Sequence, residues 1–101
     1  MKLLTKKLEK MLPPLGATKN QSDPLAIAKF FAPWTSWTWY ATEYDPEERL
    51  FFGLVDGFKK EFGSFSLDEL QGLRGPSGLR VKRDMYWEPT PSSKILSGEA
   101  R

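Results

Sequence analysis

The stretch from Trp34 to Asp56 constrains the fold more than any other part of the chain. It contains three of the four tryptophans, two of the three tyrosines and two of the seven phenylalanines. Residues 37–44 (WTWYATEY) and 49–55 (RLFFGLV) are rich in the aromatic and β-branched residues that favour strands. Asp45-Pro46 between them is a turn signal. The stretch therefore predicts an antiparallel hairpin that builds the sheet and core of a small domain.

The alternation of side chains along a strand predicts which residues of this hairpin share a face. The first strand should divide its residues into two sets: Trp37, Trp39 and Ala41 on one face, and Thr38, Tyr40 and Thr42 on the other. Both faces of the second strand are apolar, so we expect it to lie inside the sheet. Gly53 in its middle marks a bulge or a close approach of another backbone.

Two elements are predicted before the hairpin. Residues 3–12 form a short helix with Thr5 as its N-cap, and Pro13-Pro14 ends it. Residues 25–31 (LAIAKFF) fit a helix or a strand. We favour the strand because another hydrophobic strand follows after a short turn.

Three elements are predicted after the hairpin. Residues 62–65 form a short strand, and the capping box Ser66-Leu67-Asp68-Glu69 starts a helix over 67–73. Residues 79–87 (LRVKRDMYW) alternate as a half-buried strand near an edge. We therefore predict a single α+β domain over residues 1–88, an antiparallel sheet of about four strands with two short helices packed on one side. Residues 89–101 are predicted to be a C-terminal tail with at most one helical turn.

The absence of cysteine and histidine from the 101 residues excludes several chemistries. Disulfides, thiolate or imidazole metal ligands, and catalytic triads that need histidine are all removed. Any metal would have to be a hard cation held by carboxylates, and any general acid or base would have to be Asp, Glu, Lys or Tyr. We expect no cofactor and assign no catalytic residue or metal ligand.

Charge and hydropathy patterning indicate a soluble, cytoplasmic protein. The formal net charge of +2 is too small to indicate a nucleic-acid binder by itself. The first ten residues (MKLLTKKLEK) lack the apolar region of a signal peptide. No apolar run approaches the roughly 18 residues of a membrane span, so we expect no membrane association. The pattern leaves the oligomeric state open.

Short motifs occur in a fixed order over about residues 3–87. They are LLTK at 3–6, K-x-F-x-P at 29–33, TE-x-DP at 42–46, FGL-x-D at 52–56, EFG at 61–63, SL-x-EL at 66–70 and RGP-x-GL-x-V-x-RD at 74–84. The ordered series resembles domain-of-unknown-function family 2958. This resemblance implies a small bacterial single-domain protein, of a kind often carried on mobile elements, with no established activity.

The chain departs from the pattern of that family at two places. Residues 57–60 (GFKK) stand where the family usually has a glycine-rich turn leading into Pro-Glu-Leu-Gly. Lys82 stands where family members tend to carry glutamate. An acidic site that depends on that glutamate is therefore not carried over to this chain.

Carboxylates inside the motifs form one set of candidate site residues: Glu43, Asp45, Asp56, Glu61 and Asp84. Glu43 and Asp56 should lie at opposite ends of adjacent strands and share no site. Glu43 and Asp45, two residues apart on one face, could give two oxygen ligands to a divalent cation. We favour the structural alternative, in which Asp45 starts the turn before Pro46 and Glu43 pairs with Arg49 or Arg83.

Aromatic and basic residues form the second candidate set: Trp34, Trp37, Trp39, Tyr40, Arg80, Lys82, Arg83 and Tyr86. On one sheet face they could stack bases and contact phosphates of single-stranded nucleic acid. In the structural alternative the tryptophans are core and the basic residues protect an edge strand. Arg83 interrupts an apolar face, so we expect an ion pair with Glu43 or Glu61, with an anion site as the alternative. The 74–78 segment (RGPSG) lacks the lysine and the element order of a phosphate loop and should only end a helix.

These observations favour a non-catalytic interaction or accessory protein that presents an aromatic surface to a protein partner. The family resemblance implies that it belongs to a mobile element. Two alternatives from other classes stay open. One is single-stranded nucleic-acid binding through the aromatic and basic sheet face. The other is a carboxylate-metal hydrolase.

Overall fold

The computed structural model describes residues 2–100. They form seven strands, three α-helices and a 3-10 turn at Pro76–Gly78. The strands are β1 (Leu25–Ala26), β2 (Ala28–Phe31), β3 (Thr38–Asp45), β4 (Leu50–Asp56), β5 (Lys60–Ser66), β6 (Lys82–Arg83) and β7 (Thr90–Pro91). The helices are α1 (Lys6–Met11), α2 (Leu67–Gly72) and α3 (Ser92–Leu96).

Five of these strands form one antiparallel sheet in the spatial order β5-β4-β3-β2-β6. β1 and β7 pair separately as a small second sheet. The predicted hairpin is the β3–β4 pair in the middle of the large sheet, and segment 25–31 is extended as we favoured. The predicted α+β architecture is confirmed, with five strands in the main sheet where about four were expected.

The two faces of the main sheet differ in size and cover. The first face carries the larger core, which centres on Phe30, Trp39 and Phe51. The second face carries a smaller core around Tyr40 and Leu54, covered by Ile95 of α3 and partly by Trp87. The sequence alternation predicted this division correctly for residues 39–41, because period-two side chains of a strand must point to opposite faces.

Helices α1 and α2 begin at hydroxyl N-caps and lie on the first face. The Thr5 hydroxyl accepts from the Leu8 N–H at 3.2 Å, and the Ser66 hydroxyl accepts from the Glu69 N–H at 2.9 Å. Both helices have only six residues, too few to be stable alone, so packing has to hold them. That packing comes from apolar residues in and next to the helices: Leu3, Leu12, Leu67 and Leu70.

A β-bulge interrupts the β3–β4 pairing at Thr42. Ala41 pairs with Gly53 and the next pair is Glu43 with Phe52, so Thr42 is the extra residue. Its hydroxyl donates to the Phe52 carbonyl oxygen at 3.0 Å. A β-carbon at Gly53 would lie 1.8 Å from the Tyr40 carbonyl oxygen. The prediction that Gly53 marks a bulge or a close approach is confirmed, since both are present.

The bulge exchanges the faces of β3 at its end. Ala41, before the bulge, and Tyr44, beyond it, both belong to the first-face core. They are three residues apart, whereas residues on one face of a regular strand are separated by an even number. Glu43 consequently points to the second face beside Phe52.

The predicted strand 79–87 is much shorter than expected. Lys82 and Arg83 pair with Phe31 and Phe30 of β2, and Arg80 forms only an isolated bridge with Arg74. The predicted edge position is confirmed. Asp84 ends the strand because its carboxylate accepts from the Tyr86 N–H at 3.0 Å and turns the chain. The predicted length is therefore wrong.

The C-terminal segment that we predicted as a tail contacts the domain over residues 90–96. The Ser92 hydroxyl donates to the Pro24 carbonyl oxygen at 2.6 Å, and the Ser93 N–H donates to the Asp23 carboxylate at 2.8 Å. Ile95 is only 1% exposed and belongs to the second-face core. These contacts attach β7 and α3 to the second face.

Gly53→Ala should lower the free energy of unfolding by about 3 kcal/mol or more, because the new methyl meets the main-chain oxygen of Tyr40. Gly63, the cross-strand partner of Gly53, has open space at its β-carbon position, so Gly63→Ala is a matched control. We expect that control to change stability by less than about 1 kcal/mol. Urea unfolding followed by tryptophan fluorescence measures both. Equal losses in the two variants would contradict the steric explanation.

Candidate functional site

The predicted aromatic and basic residues do not share one sheet face. Trp39 and Tyr40 are successive residues of β3, 7% and 4% exposed, and they belong to different cores. Trp34 packs over Gly75, where a β-carbon would lie 2.3 Å from the indole. The Trp87 indole N–H donates to the Ala26 carbonyl oxygen at 3.0 Å. These four aromatic side chains therefore act mainly in packing.

Trp37 is the predicted tryptophan that lies at an exposed aromatic surface. It is half-buried, and Phe58 meets its ring edge to face with centroids 5.3 Å apart. Phe58 is 96% exposed at the tip of the β4–β5 hairpin. Gly57 gives the indole room, since a β-carbon there would lie 2.4 Å from it. The residues around this shallow pocket of about 250 Å³, here called the Trp37–Phe58 surface, are Trp37, Val55, Gly57, Phe58, Lys59 and Glu61.

A second candidate site is a groove on the second face, beside β6. The register aligns Lys82 with Phe31 of β2 and Phe31 with Thr38 of β3, so their side chains form a row across the sheet. Together with the turn that begins at Asp84, this row borders an open groove of about 760 Å³. The residues that line this groove, here called the Lys82–Tyr86 groove, include Lys29, Phe31, Thr38, Lys82, Asp84 and Tyr86.

Lys29 forms the inner wall of the Lys82–Tyr86 groove. Its ammonium lies 3.8 Å from the Asp84 carboxylate and 5.8 and 5.4 Å from the ring centroids of Tyr40 and Trp87. Burial raises the pKa of the Tyr40 hydroxyl, and the charges of Asp56 and Asp84 raise it further. Tyr40 therefore stays neutral at physiological pH and offers the groove no general base.

Glu43 is 3% exposed, and its carboxylate is enclosed by the loop before β1. Its two oxygens accept the N–H groups of Gly16 and Thr18, each at 2.8 Å, and also the Thr18 hydroxyl. Burial alone raises the pKa of the Glu43 carboxyl, but the hydrogen bonds from Thr18 and Gly16 outweigh it and lower the pKa below its ordinary value. Glu43 is thus a charged anchor for residues 16–18, and its predicted pairing with Arg49 or Arg83 is wrong.

The other candidate carboxylates do not assemble with Glu43 into a metal-binding group within residues 2–100. Asp45 accepts from the Glu47 N–H at 3.0 Å and starts the turn, as the structural alternative predicted. Asp56 pairs with Thr38 at the opposite end of β3 from Glu43, so the prediction that they share no site is confirmed. Across residues 2–100 there is no group of three or more His, Cys, Asp or Glu side chains placed to hold a metal ion.

Arg83 contacts the N-terminal segment instead of its predicted carboxylate partners. Its guanidinium donates to the carbonyl oxygens of Lys2 at 2.5 Å and Leu3 at 3.4 Å. Glu61 lies on β5, at the opposite edge of the sheet from β6, so it cannot reach Arg83. Arg80 is similarly engaged, because its guanidinium donates to the Gln71 carbonyl oxygen at 2.9 Å.

Sequence reasoning did not select Phe58, Lys29 or Phe31 as candidate site residues. Phe58 was noted only inside the GFKK departure from the family pattern. An apolar residue between a glycine and two lysines in a predicted turn was a usable signal, because such a turn has no strand face to bury it. Lys29 and Phe31 are two residues apart and therefore share a face of β2. Their groove forms only because β6 pairs with β2, and the sequence does not indicate that pairing.

The fold and these two surfaces define a small α+β domain whose candidate sites lie at turns and at a sheet edge. The chain belongs to the family described as "Protein of unknown function (DUF2958)", whose model matches residues 3–98. Comparisons with curated proteins and with solved structures found no match. Within residues 2–100, none of the helices has the length and apolar character to cross a membrane.

Stability should depend on the ionisation of Glu43. Because the folded-state pKa lies below the ordinary value of 4.5, its contribution is full above pH 4.5 and is lost as the pH falls through the folded-state pKa. Glu43→Gln should cost about 2 kcal/mol at neutral pH, since its amide NH₂ would face a backbone N–H donor. It should also flatten the loss of stability on acidification.

Urea unfolding at a series of pH values measures both effects. Glu61→Gln, at an exposed position of β5, is the matched control and should keep the wild-type pH profile. A Glu43→Gln profile parallel to that of the wild type at acidic pH would contradict the anchoring role.

Proposed function

We propose that this protein is a non-catalytic interaction protein that binds a protein partner through the Trp37–Phe58 surface. The main support for this proposal is that Phe58, at the tip of the β4–β5 hairpin, is 96% exposed. Buried aromatic side chains dominate the binding energy of many interfaces. Trp37 lies edge to face with the Phe58 ring, so a partner that covers Phe58 can contact both aromatic side chains.

The surroundings of Phe58 indicate the chemistry of the partner. Trp37 and Val55 supply apolar area beside the ring, while Lys59 and Glu61 supply one charge of each sign at the rim. An apolar centre with a charged rim is the usual arrangement of a protein–protein interface. The matching partner has an apolar pocket that receives Phe58 and a polar border that pairs with Lys59 and Glu61.

The cellular setting is part of the same proposal. The family resemblance implies a small bacterial protein of a kind often carried on mobile elements. An accessory role in the cytoplasm of such a host fits a chain without cysteine, because a reducing compartment gives disulfides no advantage.

Phe58→Ala should weaken binding of that partner at least tenfold, as expected for a central aromatic contact. The partner is first cross-linked in cells through a photoreactive phenylalanine at position 58. It is then purified, and its dissociation constant is measured by calorimetry. Leu96→Ala, at an exposed apolar residue of α3, is the control and should bind like the wild type. A cross-linked protein that binds Phe58→Ala and wild type equally would contradict the proposal.

Single-stranded nucleic-acid binding is a second candidate because the Lys82–Tyr86 groove combines basic and aromatic residues. Tyr86 is 95% exposed, and Phe31 lies between the two lysines of the groove, Lys29 and Lys82. Exposed rings stack bases, and lysines contact phosphates. Asp84 opposes this function because it neutralises Lys29, so protein binding is the stronger proposal. Residues 2–100 hold no group of three or more metal-ligating side chains, so the metal-hydrolase alternative has no comparable support.

If the Lys82–Tyr86 groove binds single-stranded nucleic acid, a fluorescently labelled single-stranded oligonucleotide should bind in a salt-dependent way. Fluorescence anisotropy measures this binding. Lys82→Ala should weaken binding and reduce the slope of log K against log[salt] by about 1, because one phosphate contact is lost. Tyr86→Ala should weaken binding with little change in that slope. Lys94→Ala, at an exposed position of α3 outside the groove, should leave binding unchanged. Absence of binding at low salt would remove this candidate.

A further inference from the structure

The two edges of the main sheet differ in how well they are protected. β6 has only two paired residues, both basic, and Arg83 holds the N-terminal segment against it. β5 is a seven-residue edge strand, and residues 62–66 (FGSFS) carry no charge. Natural edge strands are usually short, charged or covered, because open N–H and C=O groups accept another strand. By these criteria the outer edge of β5 is open to a further strand.

The hydrogen bonds at both ends of the β4–β5 hairpin fix which groups point outward from β5. The Gly57 N–H donates to the Lys59 carbonyl at 3.1 Å, and the Leu67 N–H donates to the Arg49 carbonyl at 2.9 Å. Antiparallel pairing alternates along a strand, so residues 61, 63 and 65 bond to β4. The N–H and C=O groups of Phe62 and Ser64 therefore point outward.

We infer that the occupant of this edge is β5 of a second copy of this chain, paired antiparallel about a two-fold axis at Gly63. In that register Phe62 of each copy lies opposite Ser64 of the other. Because both residues point their backbone groups outward, each pair exchanges two hydrogen bonds. This register overlaps the full length of β5 and continues the faces of both sheets across the interface.

Side-chain contacts favour the same register. Phe62 is 42% exposed and stacks on Phe52, with centroids 6.0 Å apart and planes inclined by 10°. The two Phe62 rings would lie diagonally across the two-fold axis on the second face, within reach of each other, and would join the two stacks.

Charge complementarity supports the antiparallel orientation. β5 begins at Lys60, directly after Lys59, and ends where α2 places Asp68 and Glu69 in its first turn. Antiparallel pairing brings the basic start of each strand alongside the acidic helix start of the other copy. No like charges face each other along β5, because Lys60 meets Ser66 and Glu61 meets Phe65.

Analytical ultracentrifugation of the full chain over a wide range of concentration tests the inference. The wild type should show a reversible monomer–dimer equilibrium. Ser64→Pro removes one outward N–H without touching the β4 pairing and should raise the dimer dissociation constant at least tenfold. Ser64→Thr keeps the N–H and is the matched control. Phe62→Lys places two like charges at the two-fold axis and should also give a monomer, which keeps the test valid if Ser64→Pro does not fold.

Hydrogen exchange measured by NMR identifies the edge directly. The Phe62 and Ser64 amides should become protected as concentration rises, while the Gly63 amide, bonded to β4, should be protected throughout. A wild type that is monomeric at all concentrations would overturn the inference. A dimer that persists in folded Ser64→Pro or Phe62→Lys, or that leaves the Phe62 and Ser64 amides unprotected, would also overturn it.

Discussion

The β-bulge at Thr42 determines which side chains the sheet can present. Strict alternation along β3 would place Glu43 with Ala41 in the apolar first-face core and would turn Tyr44 away from it. The extra residue exchanges these positions, so the ring of Tyr44 packs on Phe51 and the carboxylate reaches the loop. Because the bulge brings the Tyr40 carbonyl against position 53, only glycine fits there. The sheet therefore depends on the pairing of one bulge with one glycine.

The enclosure of Glu43 shows how this local irregularity supports the second face. A buried carboxylate is costly unless several donors satisfy it, and here three donors come from residues 16–18. The same loop contributes to a pocket beside Phe52 and Phe62. A residue that sequence reasoning considered as a metal ligand thus fixes a loop, and its charge is used by the fold rather than by a ligand.

Much of the fold was predictable because local signals determine it. The hydroxyl caps at Thr5 and Ser66, the alternation through Trp39 and Tyr40, and Gly53 were all interpreted correctly. The failures depend on distant partners. Residues 79–87 alternate like a strand, but alternation cannot show that only two residues of β2 pair with β6. The partner of Arg83 lies about eighty positions earlier in the chain, where no spacing rule reaches.

The candidate surface was harder to predict than the fold for a geometric reason. Consecutive aromatic residues on one strand cannot form one surface, because Trp39 and Tyr40 must point in opposite directions. In a sheet with cores on both faces, such residues are used in packing. An exposed aromatic group then has to come from a turn, as Phe58 does, or from an edge strand, as Phe62 does. Each of these residues stands next to a glycine, Gly57 or Gly63, a sequence signal that the prediction of sites did not use.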